Sequence, residues 1–305
     1  MKFFIVGASG FIGRRALAQA RDLGLTTVGT RASSNDESLT RFDLRHDRIT
    51  DCIAKSFFSG DDLICALISA GISRIDDCRR NSAETRLLNV DKTIQLLDDL
   101  AELKAKPIFL STSCAFDGGS GCYTEDSQTS PINEYGRQKV EVENYLRSHH
   151  PNALILRLDK VVGDDPVDAH LFSEWYDRMN RRAPITCIAG QVLSPTLVDD
   201  VARAVLVACQ QQMSGIYHVA NPEFVAREQL AREFASACGY DAEIVTKPME
   251  EFGFADPRPL KTYLDGSKFI RETGMRYTPM SDAIRVFLQK SRGHDPRDDA
   301  GRASR

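Results

Sequence analysis

The sequence predicts an α/β protein organised around a doubly wound parallel sheet. Short apolar segments alternate regularly with amphipathic segments of helical periodicity through the first half of the chain. The apolar segments are hydrophobic throughout, which is typical of strands that helices cover on both faces. The chain has 305 residues, enough for one large α/β domain or two smaller lobes around a full core.

Strands and helices follow one another in order from the N-terminus. A strand at residues 2–6, a glycine turn, a helix at 11–23 and a strand at 26–29 make a β-α-β unit. The pattern continues with predicted strands at 40–44, 63–69, 108–111 and 153–158, helices at 48–58, 82–104 and 134–148, and a Gly/Ser-rich loop at 118–131.

Beyond residue 162 the alternation loosens and predicts a smaller C-terminal lobe. We assign residues 1–162 to the sheet domain, with contributions continuing to about 220, and residues 163–290 mainly to the lobe. Residues 291–305 are charged and nearly free of apolar side chains, so we expect a disordered tail. The predicted elements of this half are helices at 170–181, 198–210, 228–237 and 282–289 and strands at 185–188 and 216–219.

Charge and hydropathy exclude two classes of partner. The chain has 39 Lys and Arg against 43 Asp and Glu, a formal charge of −4, so it lacks the basic field that drives nucleic-acid binding. Its longest apolar stretches, such as 3–6 and 63–68, are too short to span a bilayer. The first strand runs into Gly7 without a signal segment. We therefore expect a cytoplasmic protein that binds neither nucleic acid nor a membrane.

The cysteines do not form a metal or disulfide pattern. None of the eight cysteines belongs to a C-x-x-C pair, and the six histidines lie far from any such pair. Scattered thiols of this kind are usually small core residues. We expect no metal site, and only Cys114 enters the argument again below.

Glycines mark the turn after the first predicted strand. The segment Gly7-Ala8-Ser9-Gly10-Phe11-Ile12-Gly13 joins that strand to a helix. Glycines at this spacing form the tight turn, let a pyrophosphate approach the backbone and pack the helix on the sheet. At the first β-α junction, the pattern predicts a Rossmann-type dinucleotide site. Its predicted contacts are Gly7, Ser9, Gly10, Phe11, Ile12 and Gly13.

The end of the second strand predicts which dinucleotide binds. An acidic side chain there binds the ribose 2′-hydroxyl of NAD, whereas an arginine accommodates the 2′-phosphate of NADP. The sequence has Arg31 at this point, and the first acids follow only at Asp36 and Glu37. We therefore predict NADP (NADPH) as the cofactor, with NAD as the alternative.

A tyrosine and a lysine form the predicted catalytic pair. Tyr135 and Lys139 are four residues apart, so they share one face of the helix that begins near Glu134. A free tyrosine titrates near about pH 10, and a nearby cation lowers that pKa because it favours the phenolate. Tyr135 is therefore the candidate proton donor, and Lys139 supplies the cation.

Together these residues resemble the extended short-chain dehydrogenase/reductase superfamily. The resemblance rests on the glycine turn, the hydroxyl-rich strand end Ser111-Thr112-Ser113 and the Tyr135/Lys139 pair, and it spans nearly the whole chain. Segments 111–118, 130–136, 195–202 and 258–259 look most like dTDP-4-dehydrorhamnose reductases, which reduce the 4-keto group of a nucleotide-linked deoxysugar. The chain departs from that subgroup at Ser113-Cys114, where the subgroup carries an acid and an aromatic residue.

The resemblance implies roles for further residues. A hydroxyl before the tyrosine orients the substrate carbonyl in this superfamily, and both Thr112 and Ser113 are candidates. Arg258 is a candidate for the substrate diphosphate, because a guanidinium binds phosphate oxygens in pairs. The other implied cofactor contacts are Asp43 and Leu44 near the adenine, Ala70 and Gly71 after the fourth strand, Asn89 on the helix of the proton relay, and Tyr135 and Lys139 themselves.

The favoured function is an NADPH-dependent reductase of a nucleotide-activated 4-keto-6-deoxysugar. Hydride would pass to C4 of the sugar, and Tyr135 would protonate the developing alkoxide. Residues 1–162 would bind NADP, and the smaller lobe would bind the nucleotide sugar. Whether the chain is a monomer or a homodimer stays open.

Two alternatives remain at this point. GDP-fucose synthases, which epimerise C3 and C5 before reducing C4, carry a similar Ser-Cys strand end and a later histidine, and Cys114 and His170 fall at comparable places. A thiol and an imidazole could exchange the proton next to the ketone; the competing interpretation is that Cys114 packs and His170 caps a helix. The second alternative is a catalytically silent regulatory subunit with the same fold.

Overall fold

The structure is a computed structural model that describes residues 1–291. The tail predicted at 291–305 lies outside the described residues, except for Ser291. Between residues 1 and 291, no helix combines the length and the apolar character that a membrane crossing requires.

Thirteen strands are present in the described residues. They are β1 (Lys2–Val6), β2 (Thr26–Arg31), β3 (Thr40–Arg41), β4 (Ile64–Ile68), β5 (Lys106–Thr112), β6 (Leu154–Leu158), β7 (Val161–Val162), β8 (Ile185–Ile188), β9 (Val192–Leu193), β10 (Thr196–Leu197), β11 (Gly215–Val219), β12 (Val225–Ala226) and β13 (Ile244–Lys247).

The helices lie mainly between these strands. They are α1 (Phe11–Asp22), α2 (Ile49–Cys52), α3 (Ile75–Arg80), α4 (Ser82–Arg86), α5 (Thr93–Glu102), α6 (Glu134–His149), α7 (Leu171–Asn180), α8 (Val198–Gln210), α9 (Arg227–Ala237), α10 (Ser267–Thr273) and α11 (Met280–Ser291), with 3-10 turns at Lys55–Phe58, Ser113–Ala115 and Met249–Phe252 and a π-helical turn at Leu87–Lys92.

The central sheet has seven strands in the order β11-β6-β5-β4-β1-β2-β3, and every neighbouring pair is parallel. From β1 the chain adds β2 and β3 on one side and then β4, β5 and β6 on the other. This reversal between β1 and β4 opens a crevice at the carboxyl ends of the strands, where sheets of this type bind ligands. The doubly wound α/β fold predicted from the sequence is confirmed.

Helices cover both faces of the sheet, which explains why its strands are apolar throughout. In β1, Phe3 and Ile5 pack toward α1 and α8, whereas Phe4 and Val6 pack toward α5 and α6. All four side chains are at most 1% exposed. Successive residues of one strand therefore belong to two separate apolar layers, as parallel sheets require.

The C-terminal part has an apolar core of its own. Trp175 of α7, Phe234 of α9 and Phe287 of α11 are fully buried, and the centroids of the Phe234 and Phe287 rings are 5.5 Å apart. The parallel pair β8 and β13 lies beside these helices. In contrast, α8 packs on α1 and β11 pairs with β6, so these two elements complete the central sheet layer.

Three of the predicted elements differ in the structure. The helix predicted at 82–104 is interrupted by the π-helical turn at Leu87–Lys92, a type of bulge that often occurs at functional sites. The helix predicted at 48–58 is wrong in its middle, where Ile53 is extended between α2 and a 3-10 turn. The strand predicted at 40–44 stops at Arg41, because the backbone N–H of Asp43 donates to the side chain of Asp47 and the chain turns at residues 43–47.

Candidate active site

Glycine shapes the turn between β1 and α1 at two positions. Gly7 has a φ of +84°, and a Cβ on it would lie 2.8 Å from the backbone nitrogen of Ala70. A Cβ on Gly13 would lie 2.2 Å from the carbonyl oxygen of Gly7, so only glycine lets α1 pack this close to β1. The first turn of α1 has no side-chain cap, which leaves its N–H groups available to an anion.

The carboxyl end of β2 carries a cation. Arg31 donates from Nη1 to the carbonyl oxygen of Ser34 at 2.7 Å. Its Nε is buried and has no hydrogen-bond partner among residues 1–291. Because buried polar groups are normally hydrogen-bonded, this guanidinium N–H is an open position for a ligand oxygen such as that of a phosphate.

Three of the predicted cofactor residues lie away from the strand ends that hold the catalytic candidates. Ser9 lines a separate cavity of about 280 Å³ between α1 and the loop that follows β2. Asp43 pairs with Arg45, whose Nη2 lies 3.0 Å from Oδ2. Leu44 is buried in the apolar layer under the sheet. Their contact with a cofactor stays a prediction.

A cavity of about 1030 Å³ runs from the glycine turn to the C-terminal lobe. It brings together residues that are far apart in sequence, and it lies at the carboxyl ends of β4, β5 and β6. The predicted site residues that line it are Gly10, Phe11, Ile12, Ala70, Gly71, Thr112, Ser113, Cys114, Tyr135, Lys139, His170 and Arg258.

The two candidate hydroxyls at the end of β5 have different hydrogen bonds. Ser113 donates to Oδ1 of Asp159 at 2.8 Å, so its proton is already committed. Thr112 accepts the N–H of Cys114 at 3.1 Å, which leaves its own proton free to donate. Thr112 is therefore the better placed donor for a substrate carbonyl.

The start of α6 is fixed against the end of β5. Asn133 caps the helix, and its Oδ1 accepts the N–H of Gly136 at 2.8 Å. Asp256 from the C-terminal part accepts the N–H of Glu134 at 2.6 Å. A Cβ on Gly136 would lie 2.1 Å from the carbonyl oxygen of Cys114, so glycine allows the close approach that brings Tyr135 to the strand end.

Tyr135 and Lys139 point into the cavity from the same face of α6. Lys139 donates to the carbonyl oxygen of Leu110 at 2.8 Å, and its Nζ lies 5.9 Å from the centroid of the Tyr135 ring. Burial raises the pKa of Tyr135 and lowers the pKa of Lys139 to about 8. The lowered pKa expected for Tyr135 is absent, because burial of the phenol raises its pKa. The phenol is therefore protonated at neutral pH and can donate.

Asn89 supports the cavity from the π-helical turn. Its Nδ2 donates to the carbonyl oxygen of Ile72 and to Oε1 of Gln138, and its Oδ1 accepts the N–H of Ile72. These bonds hold the Gly71–Ile72 loop, which lines the cavity, against α6. Asn89 makes no direct hydrogen bond to Tyr135 or Lys139 within residues 1–291, so its role in a proton relay stays a prediction.

Cys114 and His170 are both held in place by local contacts. The His170 side chain caps α7, where Nδ1 accepts the N–H of Phe172 at 3.2 Å and Nε2 donates to the carbonyl oxygen of Asp165 at 2.9 Å. Burial lowers the pKa of His170 and raises that of the Cys114 thiol. At neutral pH the thiol is protonated and both imidazole nitrogens are engaged, so neither group is poised as a base.

Arg258 projects into the cavity from the C-terminal part. Its Nη2 lies 2.8 Å from Oδ1 of Asp76 on α3, and Nη1 donates to the carbonyl oxygen of Asp256 at 2.8 Å. The guanidinium also lies 4.3 Å from the centroid of the Phe254 ring. These contacts orient Arg258 and neutralise part of its charge.

Sequence reasoning missed two carboxylates behind the strand ends. Asp159 follows β6 and accepts hydrogen bonds from Ser113 and from the N–H of Ser194 at 2.6 Å. Glu143, one turn after Lys139 on α6, pairs with Arg157 at 2.6 Å, and both side chains are at most 3% exposed. The signal for Asp159 was a polar residue directly after a buried strand, whereas the pairing of Glu143 required the tertiary structure.

Fold and site together define a Rossmann-type protein of the extended short-chain dehydrogenase/reductase class. The RmlD substrate binding domain family matches residues 1–292. The chain therefore belongs to the RmlD substrate binding domain family, which confirms the resemblance predicted from the sequence.

Individual relatives are similar over most of their length. The chain is 26% identical to a probable low-salt glycan biosynthesis reductase, Agl14, of Haloferax volcanii, covering 93% of this chain and 96% of that protein. It is 27% identical to dTDP-4-dehydrorhamnose reductase of Sinorhizobium fredii, covering 94% and 97%. It is also 26% identical to methionine adenosyltransferase 2 subunit beta of Xenopus tropicalis, covering 93% and 86%.

A solved structure shares the fold. The dTDP-4-dehydrorhamnose reductase of Bacillus anthracis in complex with NADP aligns with a TM-score of 0.79 at 20% identity, covering 95% of this chain and 100% of that chain. At this level of identity the alignment supports the architecture described above.

Proposed function

We propose that the protein is an NADPH-dependent reductase that converts the C4 ketone of a nucleotide-linked 4-keto-6-deoxysugar into an alcohol. The observation that carries the proposal is the convergence of Thr112, Tyr135 and Lys139 at the end of β5, in the cavity that begins at the glycine turn. The dTDP-4-dehydrorhamnose reductases among the relatives support the substrate class.

The residues present fit NADP. The glycine turn leaves the first N–H groups of α1 available for a pyrophosphate. Arg31 has a buried Nε without a partner in the described part of the chain, which fits the additional 2′-phosphate of NADP. When bound, NADPH supplies the hydride that is added to C4 of the sugar.

The protein's own residues would hold and protonate the substrate oxygen. Thr112 donates a hydrogen bond to the C4 carbonyl, and Tyr135 gives its phenolic proton as negative charge develops on that oxygen. Lys139, with a pKa lowered to about 8, is largely protonated at pH 7 and stabilises the phenolate that remains. The substrate gains one hydride and one proton in total.

The two parts of the chain would bind different ligands. Residues 1–162, together with α8 and β11, bind the cofactor, and residues 163–290 mainly bind the nucleotide sugar. Arg258 is proposed to contact the diphosphate, because its guanidinium lines the cavity beside Cys114 and can use its remaining N–H groups.

Transfer of a labelled hydride tests this reaction. The full chain is incubated with a dTDP-4-keto-6-deoxysugar and NADPH deuterated at the transferable position, and the product is examined by NMR. Deuterium at C4 is the expected result. NADPH consumption without deuterium at C4 would contradict the proposed position of reduction.

A regulatory subunit is the second candidate function. It is favoured by one observation, the similarity to methionine adenosyltransferase 2 subunit beta over 93% of this chain. The absence of turnover with dTDP-, UDP- and GDP-linked 4-keto sugars, together with retained NADPH binding, would support this candidate over the reductase.

A further inference from the structure

The cavity of about 1030 Å³ between the glycine turn and the C-terminal lobe is the main cavity of the described residues, and it contains more cations than the proposed reaction uses. Arg258 is paired with Asp76, and Nε of Arg178 lies 3.6 Å from Oε1 of Glu174. Lys139 is bonded to the carbonyl oxygen of Leu110. Four further cations that line the cavity have no carboxylate within ion-pair distance among residues 1–291: Arg74 and Arg80, which are exposed, and Lys160 and Arg227, which are partly buried.

Lys160 is held at its backbone and free at its ammonium. Its carbonyl oxygen accepts the N–H of Thr196 at 2.9 Å, which fixes the residue where the chain leaves β6. The ammonium forms no hydrogen bond or ion pair with any described residue, although the side chain lines the cavity. Burial lowers the pKa of Lys160, and Arg227 lowers it further, against the opposite effect of Glu174 and Asp159. The Lys160 ammonium is therefore available to an acceptor that a ligand supplies.

Arg227 approaches the same space from the first turn of α9. Its Nη1 donates to Oε1 of Gln191 at 3.1 Å, and its backbone N–H donates to the carbonyl oxygen of Gln191 at 2.9 Å. Its Nε is buried without a partner in the part of the chain that the structure describes. Because Lys160 and Arg227 repel each other, an anion bound between them would relieve the repulsion as well as complete the missing hydrogen bonds.

We propose that Lys160 and Arg227 form an oxyanion subsite in the main cavity, which binds an anionic oxygen of the nucleotide sugar. The oxygen belongs either to the diphosphate or to a carboxylate at C6 of the sugar, and the second source would replace the 6-deoxysugar of the proposed function by a uronic acid. Arg258 is already partly neutralised by Asp76, and Arg74 and Arg80 are exposed, so among the described residues that line the cavity Lys160 and Arg227 are the partly buried cations without a carboxylate partner. The choice of a nucleotide sugar as ligand rests on the proposed function.

Calorimetric titration of the full chain, saturated with NADP⁺, tests the subsite. The probes are UDP, dTDP and GDP, and then UDP-glucose and UDP-glucuronic acid, which differ by one carboxylate. Lys160→Met removes the charge at nearly constant length, and Lys160→Arg restores it. The control is Arg80→Gln, which removes an exposed cation from the same cavity wall. Arg227→Met provides a second variant if Lys160→Met does not fold.

The expected loss of affinity in Lys160→Met is about 10- to 150-fold, the range for a charge-assisted hydrogen bond. If Lys160→Met loses affinity equally for the nucleoside diphosphate that binds, for UDP-glucose and for UDP-glucuronic acid, the diphosphate is the source of the oxyanion. A loss confined to UDP-glucuronic acid identifies the carboxylate. Lys160→Arg should recover most of the affinity, and Arg80→Gln should stay within about threefold of the parent protein.

Proton uptake gives a readout that a purely structural role would not change. Because burial lowers the pKa of Lys160 and a bound oxyanion favours the charged ammonium, binding followed across a pH series into the alkaline range should take up more protons in the parent protein than in Lys160→Met. The subsite is refuted if no probe binds the parent protein, or if folded Lys160→Met and Arg227→Met bind every probe within threefold of it. These measurements need no turnover, so a chain that binds the probes but does not reduce a ketone contradicts only the proposed function.

Discussion

The two walls of the main cavity are built in different ways. The sheet wall consists of the glycine turn, the ends of β4 and β5 and the start of α6, and each piece carries its functional residues within a short segment. The lobe wall takes Gln191, Arg227 and Arg258 from separate segments that only the fold brings together, and Lys160 joins it from the end of β6. Local sequence patterns therefore position the residues proposed for the reaction, whereas long-range packing positions those proposed to select the substrate.

The walls also differ in what holds them. Behind the sheet wall, Arg157 of β6 and Glu143 of α6 form a buried ion pair that also engages Ser111 of β5. The lobe wall packs on an apolar cluster in which the rings of Phe172 and Phe234 are stacked, with their centroids 5.0 Å apart. Substitutions in the sheet wall should therefore affect catalysis and stability, and substitutions in the lobe wall should mainly affect substrate affinity.

The largest effect is expected from the phenol of the sheet wall. Tyr135→Phe removes the proposed proton donor without removing the ring, so kcat should fall about 100- to 10,000-fold while NADPH affinity changes little. Steady-state kinetics and cofactor titration measure the two effects. Tyr145→Phe is the matched control, because Tyr145 lies on the same helix as Tyr135 and its hydroxyl donates to Asp98 of α5, away from the cavity. A loss of only a few-fold, with chemistry shown to be rate-limiting, would refute the assigned role.

The sequence predicted the sheet wall well and the lobe wall poorly. Short contiguous sequence patterns, none longer than one helix, predicted three parts of the sheet wall: the strand at 2–6, the glycine turn and the helix that carries Tyr135 and Lys139. Asn133 donates to the carbonyl oxygen of Pro257, and Ser113 donates to Asp159. Both bonds join segments that are far apart in the chain, and no local periodicity predicts such contacts. Arg258 was found only through a resemblance, and Lys160 and Arg227 were not found at all.

A second prediction compares two ion pairs on α6. Glu143→Ala leaves the buried guanidinium of Arg157 uncompensated and should lower the free energy of unfolding by about 3–5 kcal/mol. Glu141→Ala breaks a pair with Arg86 whose side chains are 44% and 46% exposed, and it should cost about 0–1 kcal/mol. Urea unfolding of both variants measures the difference. Equal losses would show that the buried pair is not what holds α6 to β6.

The third prediction concerns cofactor choice at the edge of the sheet wall. NADPH should bind more tightly than NADH, and Arg31→Ala should remove most of that difference. A charge-assisted phosphate contact accounts for about 1.5–3 kcal/mol, or about 10- to 150-fold in affinity. Fluorescence titration with both cofactors measures it, and Arg41→Ala, an exposed arginine on β3, is the control. Equal affinities of the parent protein for NADPH and NADH would contradict the assignment.

The smallest effect is expected at Cys114 and His170, and it separates a simple reductase from an epimerase that also reduces. If these residues moved protons, a 4-keto-6-deoxysugar nucleotide incubated with enzyme in D₂O without NADPH would gain deuterium at C3 or C5. We expect no exchange above the substrate-only control, because both imidazole nitrogens of His170 are bonded and burial raises the pKa of the Cys114 thiol. Enzyme-dependent deuteration that Cys114→Ser and His170→Ala abolish would instead establish the epimerase. Loss of the cap in His170→Ala should otherwise appear only as about 0.5–2 kcal/mol of stability.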